Sequence, residues 1–181
     1  NKNNIKNTGS SPESSALCMD KVKSKNIAKN NNIRTPVWEM LYSVNDRPTL
    51  PVPFVIKPND QGSTVGLTII HDESEIDAGI TEAFNHSDLV MVEEYIHGRE
   101  LTVTVLGEKA YPIVEIKPSH ELYDYECKYT PGMSQYICPA DIPEELTKSI
   151  QNNTEIIFKV LGCDVYARAD YLLVENGKYY F

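Results

Sequence analysis

The sequence contains no run of roughly 18 apolar residues, the length that a membrane-spanning helix requires, and its first thirty residues are polar. Neither a membrane span nor a secretory signal is supported, so a cytoplasmic protein with no membrane partner is expected. The chain also lacks any C-x-x-C pair and any His at zinc-ligand spacing from Cys18, Cys127, Cys138 or Cys163. That excludes a zinc ribbon or finger. With 41% hydrophobic residues a core can form without disulfides, so the cysteines read as reduced thiols. Basic charge is scarce as well: 17 Lys and Arg against 26 Asp and Glu leave a net charge of −9. The densest basic cluster is Lys21, Lys23 and Lys25, too little for nonspecific binding to a phosphate backbone, and no nucleic-acid partner is expected. A lysine that meets a phosphate here belongs to a specific pocket. No internal repeat and no G-x-x-x-x-G-K loop is present.

What is present is a globular chain of 181 residues, enough for one domain or two small lobes. Residues 1–7, N-K-N-N-I-K-N, read as a polar linker. Ser10 with Glu13 suggests a capping box, with Pro12 in the first turn and a helix running to about Asn30. Residues 36–41, 54–57 and 66–70 read as short strands bounded by Pro, Gly, Asn and Asp. Asp72 with Glu75 predicts a second helix ending near Asn85. Strands follow at 89–95, 99–106 and 110–116. Residues 119–140 have no regular period but many tyrosines, which predicts a long functional loop and a candidate lid. The spacing of Leu146, Ile150, Ile157 and Leu161 predicts a helix closed by Gly162. An Asn-Gly hairpin at Glu175-Asn176-Gly177 joins the last strands. Irregular alternation of helices and strands favours an α+β fold of antiparallel sheets over a doubly wound parallel sheet.

Three stretches carry chemistry. V-I-K-P-N-D-Q-G-S-T-V-G, residues 55–66, ends a strand on Lys57 and continues into a loop of small residues whose N–H groups suit a phosphate. The alternative is a hairpin whose glycines only serve the turn. V-M-V-E-E-Y-I-H-G-R-E, residues 90–100, sets Glu93 and Glu94 at a strand end, where carboxylates and free backbone groups suit an adenine edge or ribose hydroxyls. Solvated strand-end glutamates are the alternative. In Y-A-R-A-D-Y, Arg168 and Asp170 share one strand face, fitting an oxyanion and a Mg²⁺ ion respectively. A surface ion pair is the alternative.

Taken together, these stretches occur in an order and spacing that resemble the D-alanine–D-alanine ligases, which are ATP-grasp enzymes. T-G-S, S-A-L-C-M-D-K, K-P-N-D-Q-G-S-T-V-G, E-E-Y-I-H-G-R-E-L-T-V, Y-D-Y-E-C-K-Y with Y-I-C-P-A, and A-R-A-D-Y carry the resemblance from Thr8 to Phe181. It implies two α+β lobes with mainly antiparallel sheets clamping ATP, residues 8–97 forming a central lobe and 98–181 an incomplete C-terminal lobe. It further implies that Lys21, Lys57 and Lys128 meet the phosphates of ATP, that Glu93, Glu94 and the backbone at Ile96 read the adenine, and that Glu100 holds the ribose. Asp170 is implied as a ligand of Mg²⁺ or Mn²⁺, Arg168 as the oxyanion stabiliser, and Ser63 with Tyr129 as the pair orienting the second substrate.

The family reaction phosphorylates one D-alanine with ATP, and the amine of a second attacks the acylphosphate, giving a dipeptide for peptidoglycan. A homodimer is implied too. The pattern departs at both ends, since the family's N-terminal substrate domain and its E-I-N-T metal motif are not in the sequence. These residues alone are therefore expected not to make the dipeptide. A D-alanine–D-lactate or D-alanine–D-serine ligase and a non-catalytic ATP-binding fragment are the competing readings. Tyr129 resembles the dipeptide-forming branch.

Overall fold

A computed structural model of the chain describes residues 8–120, 123 and 125–181. The expected linker at 1–7 and the Glu121 end of the expected lid lie outside the described residues. The fold is α+β with antiparallel sheets, as expected.

Helices α1 (Pro12–Met19) and α2 (Lys21–Asn30) replace the single helix expected as far as Asn30. The break falls at Asp20, whose extended backbone lets its carboxylate cap α2 by accepting from the Lys23 amide at 3.1 Å. At the start of α1 the cap is Ser11 rather than Ser10: its hydroxyl accepts from the Ser14 amide at 3.1 Å, with Pro12 just inside the helix.

The first sheet contains β1 (Trp38–Leu41), β2 (Phe54–Pro58), β3 (Thr68–Ile70) and β4 (Val90–Glu94), in the order β1-β4-β2-β3. One face carries Phe54, Ile56, Val90 and Val92 into a core completed by Ile80 and Ala83 of α3 (Ile76–Phe84). The expected capping box at Asp72 and Glu75 is present, on a short 3₁₀ turn leading into α3. Because side chains alternate across a strand, Val55 and Lys57, paired with Glu93 and Met91, occupy the opposite face.

The second sheet has the order β10-β9-β5-β7-β8, with β6 on β5. Its strands are β5 (Arg99–Leu106), β6 (Lys109–Ala110), β7 (Val114–Pro118), β8 (Ser134–Ile137), β9 (Tyr166–Leu173) and β10 (Tyr179–Tyr180). The strand expected over 110–116 is thus two, interrupted around Pro112, which has no amide to donate. The stretch expected to be a period-free loop also holds structure: α4 (Tyr125–Tyr129), and β8 paired with β7. Leu101, Val103, Ala169 and Tyr171 face a core with Ile150 of α5 (Glu144–Val160). Gly162, with φ of +68°, follows α5 in the left-handed conformation that glycine adopts without strain. Glu100, Thr102, Arg168 and Asp170 lie on the other face, since Thr102 pairs with Asp170 and Glu100 with Leu172.

Ala28 and Ile33 pack against Ile157 of α5 and Leu161, the residue that follows it. The helical arm that begins the chain is thereby fastened to the helix of the second sheet. Among the described residues no helix is long and apolar enough to cross a membrane.

Candidate functional site: a charged cleft between two sheets

The non-core faces of the two sheets look onto one cleft. Its inner part, about 420 Å³, is lined by Lys21, Lys57, Glu93, Lys128, Arg168 and Asp170. Its outer part, about 480 Å³, is lined by Val55, Leu67, Ile96, Ile116 and the chain from Glu94 to Arg99. Lys57, Glu93 and Glu100 border both parts. A slot walled by apolar side chains therefore adjoins a chamber rich in cations.

Glu93 sits at the junction, buried to 8% exposure. Its two carboxylate oxygens face the ammonium groups of Lys25 and Lys57. Burial would raise this carboxyl, but Lys57 and Lys25 outweigh it and hold Glu93 below the usual carboxylate range. Lys25 is itself buried, lies 5.3 Å from the centroid of the Trp38 ring, and has its pKa lowered by burial despite Glu93. Sequence reasoning missed Lys25. The available signal was its spacing, one helical turn beyond Lys21 on the same face of α2.

Lys21 stands at the first position of α2, where Nζ donates to the carbonyls of Asn59 at 3.2 Å and Gln61 at 2.5 Å. Burial, then the nearby Lys57 charge, push its pKa down to about 8. Asn59 fastens the loop to the helix: its Oδ1 accepts from the Val22 amide at 3.0 Å and its Nδ2 donates to Asp20 at 3.0 Å. The loop then bends through Ser63 and Thr64, both at positive φ (54° and 65°), and Gly66 at 65°. Gly66 is required sterically as well, because a Cβ there would lie 2.9 Å from Pro58 Cγ.

Thr64 is a second residue that the sequence did not single out. It accepts from Lys128 Nζ at 2.6 Å and donates to the Tyr123 carbonyl at 3.1 Å. Lys128 lies 5.2 Å from the Tyr123 ring centroid. The loop after β2 and the segment after β7 are thereby joined over the cleft.

On the opposite wall Arg168 and Asp170 form an ion pair, Nε to Oδ1 at 3.1 Å, as the surface-pair alternative has it, and both line the inner part of the cleft. Thr102 donates to Asp170 Oδ1 at 2.6 Å. Burial, with Asp170 nearby, pushes the Glu100 carboxyl up to about 7. Among the described residues no group of three His, Cys, Asp or Glu could hold a metal ion. Glu94 and Ile96 line the outer part. Ser63 and Tyr129 are exposed and are not among the residues lining the cleft. The structure thus brings together every expected site residue but these two.

A family model described as D-ala D-ala ligase C-terminus matches residues 19–181. The chain belongs to this family. The D-alanine–D-alanine ligase of Halalkalibacterium halodurans is 44% identical over 185 residues, covering 96% of this chain and 60% of that protein. That of Syntrophotalea carbinolica is 42% identical over 174 residues, covering 95% of this chain and 57% of the relative. The chain therefore spans about 60% of the length of these ligases. Among solved structures, the VanG D-Ala:D-Ser ligase of Enterococcus faecalis superposes with a TM-score of 0.83 at 33% identity, covering 96% of this chain and 54% of its own. The D-alanine–D-alanine ligase of Bacillus anthracis superposes at 0.81 and 34% identity, covering 95% and 58%; its ATP complex gives 0.77 and 33%. The fold is that of the ATP-grasp ligases.

Proposed function

We propose that this chain is the ATP-binding part of a D-alanine–D-alanine ligase, which joins two D-alanines through an acylphosphate for peptidoglycan synthesis in the cytoplasm. The observation that carries the proposal is the division of the cleft: a slot walled by Val55, Leu67, Ile96 and Ile116 opens into a chamber holding Lys21, Lys57, Lys128 and Arg168. That is the complementarity a nucleotide requires, a base in the slot and phosphates among the cations. Membership of the ligase family supports this choice among nucleotide-using reactions.

In this reading Lys21, Lys57 and Lys128 hold the phosphates, Glu93, Glu94 and the backbone at Ile96 border the base, and Glu100 takes the ribose. Lys25 keeps Glu93 ionised and in place when Lys57 turns toward phosphate. Arg168 meets the negative oxygen that develops as the amine attacks, an interaction worth about a hundred- to a thousandfold in rate when removed elsewhere. Ser63 and Tyr129 orient the second substrate from the loop and from α4. The oxygen donor of Asp170 fits a hard cation, Mg²⁺ or Mn²⁺, which commonly takes one or two carboxylates together with phosphate oxygens. Such an ion supplies charge neutralisation on the transferred phosphoryl group.

A second reading, D-alanine–D-serine ligation, has the VanG superposition in its favour. Mass spectrometry of the products that the full-length ligase containing this chain makes from ATP with D-alanine alone, with D-serine added, or with D-lactate added decides between them. Alanyl-alanine as the main product in all three mixtures is the expected result; a serine or lactate product in excess favours the alternative.

A further inference from the structure

Cys18, on the last turn of α1, and Cys163, just after α5, have their sulfurs 3.6 Å apart although 145 residues separate them in sequence. Neither belongs to the cleft described above. We infer that this pair is a thiol-oxidation site, closing a disulfide that clasps α1 to the turn between α5 and β9 when a low-molecular-weight disulfide serves as oxidant.

The two segments are already held together. Ser14 Oγ, one turn before Cys18, donates to the Leu161 carbonyl at 2.9 Å and lies 3.7 Å from Cys163 Sγ. At the other end of the helix, Ser10 Oγ accepts from the Asp164 amide at 3.0 Å. Both flanks of α1 are thus pinned to the segment around Cys163. Bonded sulfurs sit about 2.05 Å apart, so the two must approach by about 1.5 Å. Room for that rotation exists, because both cysteines border an apolar cavity of about 160 Å³ with Ile157, Phe158 and Leu161 on its walls. The remaining thiols are differently placed: Cys127 is buried in α4, and Cys138 follows β8.

The chemistry balances with the oxidant named. Cys18, the more exposed of the two, gives up its proton and attacks one sulfur of the small disulfide, releasing one small thiolate, which is protonated. Cys163 then gives up its proton and attacks the Cys18 sulfur, expelling the second small thiol. Two protein thiols are oxidised to one disulfide, and one small disulfide is reduced to two thiols. Burial and the neighbouring Cys163 push the Cys18 thiol up to about 11, which keeps its thiolate fraction low near neutral pH and slows its attack there. Closure fixes the arm that carries Lys21 and Lys25 to the strand that carries Arg168.

The purified full chain, treated with oxidised glutathione at mildly alkaline pH, tests this by peptide mapping and thiol titration. Expected are a fall from four titratable thiols to two, one cross-linked peptide pair joining Cys18 to Cys163, and a thermal midpoint raised by roughly 4 °C or more and reversed by dithiothreitol. C18S and C163S should each abolish both the link and the rise, and C138S neither. Four thiols left unmodified, a glutathione adduct on Cys18 that never resolves, or a link through Cys127, Cys138 or a second chain would each overturn the inference. Mapping of the unsubstituted chain decides the matter even if a variant fails to fold.

Discussion

Lys128 Nζ donates a 2.6 Å hydrogen bond to Thr64 Oγ1, so the segment after β7 is tied to the loop after β2 at the mouth of the cleft. A lysine expected at the phosphates is thus already aimed by a threonine from the other sheet. Thr64→Val removes the acceptor and frees Lys128. A loss of about 1–1.5 kcal/mol in nucleotide affinity is expected, roughly five- to tenfold. Calorimetric titration with ATP measures it. An unchanged affinity would mean that Thr64 does not position Lys128.

We propose that α4, tied by the same contact, forms part of a lid over the cleft. Amides of Tyr125–Tyr129 are expected to exchange more slowly with solvent when ATP and the metal are added, because closure excludes water from a reactive acylphosphate. Hydrogen exchange read by mass spectrometry is the measurement. Equal exchange with and without nucleotide would remove the lid from the account.

Glu93 between Lys25 and Lys57 makes a stability prediction. Glu93→Gln leaves two buried ammonium groups facing each other, at a cost of about 3 kcal/mol or more. Lys25→Met costs less, because Lys57 still meets the carboxylate. The double variant should be less damaged than the sum of the singles, with a coupling of about 1–3 kcal/mol in urea unfolding. Strict additivity would show that Lys25 and Glu93 do not act as a pair.

Lys21, with its pKa down to about 8, sets a pH dependence. Above that value it loses the charge proposed to meet a phosphate, so ATP affinity is expected to fall as pH rises through about 8. Binding restores the proton, so association takes up about half a proton near pH 8 and close to one at about pH 9, measurable by calorimetry in buffers of different ionisation enthalpy. Lys21→Arg should abolish that uptake, since arginine stays charged. For stability the sign is opposite to that of an ordinary ion pair. The unfolded chain, with lysine near 10.5, binds this proton more tightly than the folded one, so the contribution of Lys21 rises with pH between about 8 and 10.5.

Much of the fold was legible in local pattern. Strand alternation located β2, β4, β5 and β9, and the pair Asp72 and Glu75 marked the start leading into α3. What failed was local as well. Asp20 reads as a helix-interior residue until its role as a cap is seen, and β8 has no apolar alternation to betray it, being mostly exposed. The partners of the site were illegible for another reason. Lys25 meets Glu93 across 68 positions and Thr64 meets Lys128 across 64, the first fixed by how α2 lies against the first sheet, the second by how the connections of the two sheets meet. Spacing shows which face a side chain occupies, and only the fold shows what stands opposite.

The central claim is that the cleft holds ATP by its phosphates, and Lys57 tests it most directly. Lys57 borders both parts of the cleft and in this structure rests on Glu93. ATP is titrated calorimetrically, in the presence of Mg²⁺, into the unsubstituted chain and into Lys57→Ala, with circular dichroism confirming that the variant is folded. A loss of about 1.5–3 kcal/mol is expected for a charge-assisted contact, a weakening of roughly ten- to 150-fold. Equal affinity in the folded variant would contradict the account and place the phosphates away from Lys57.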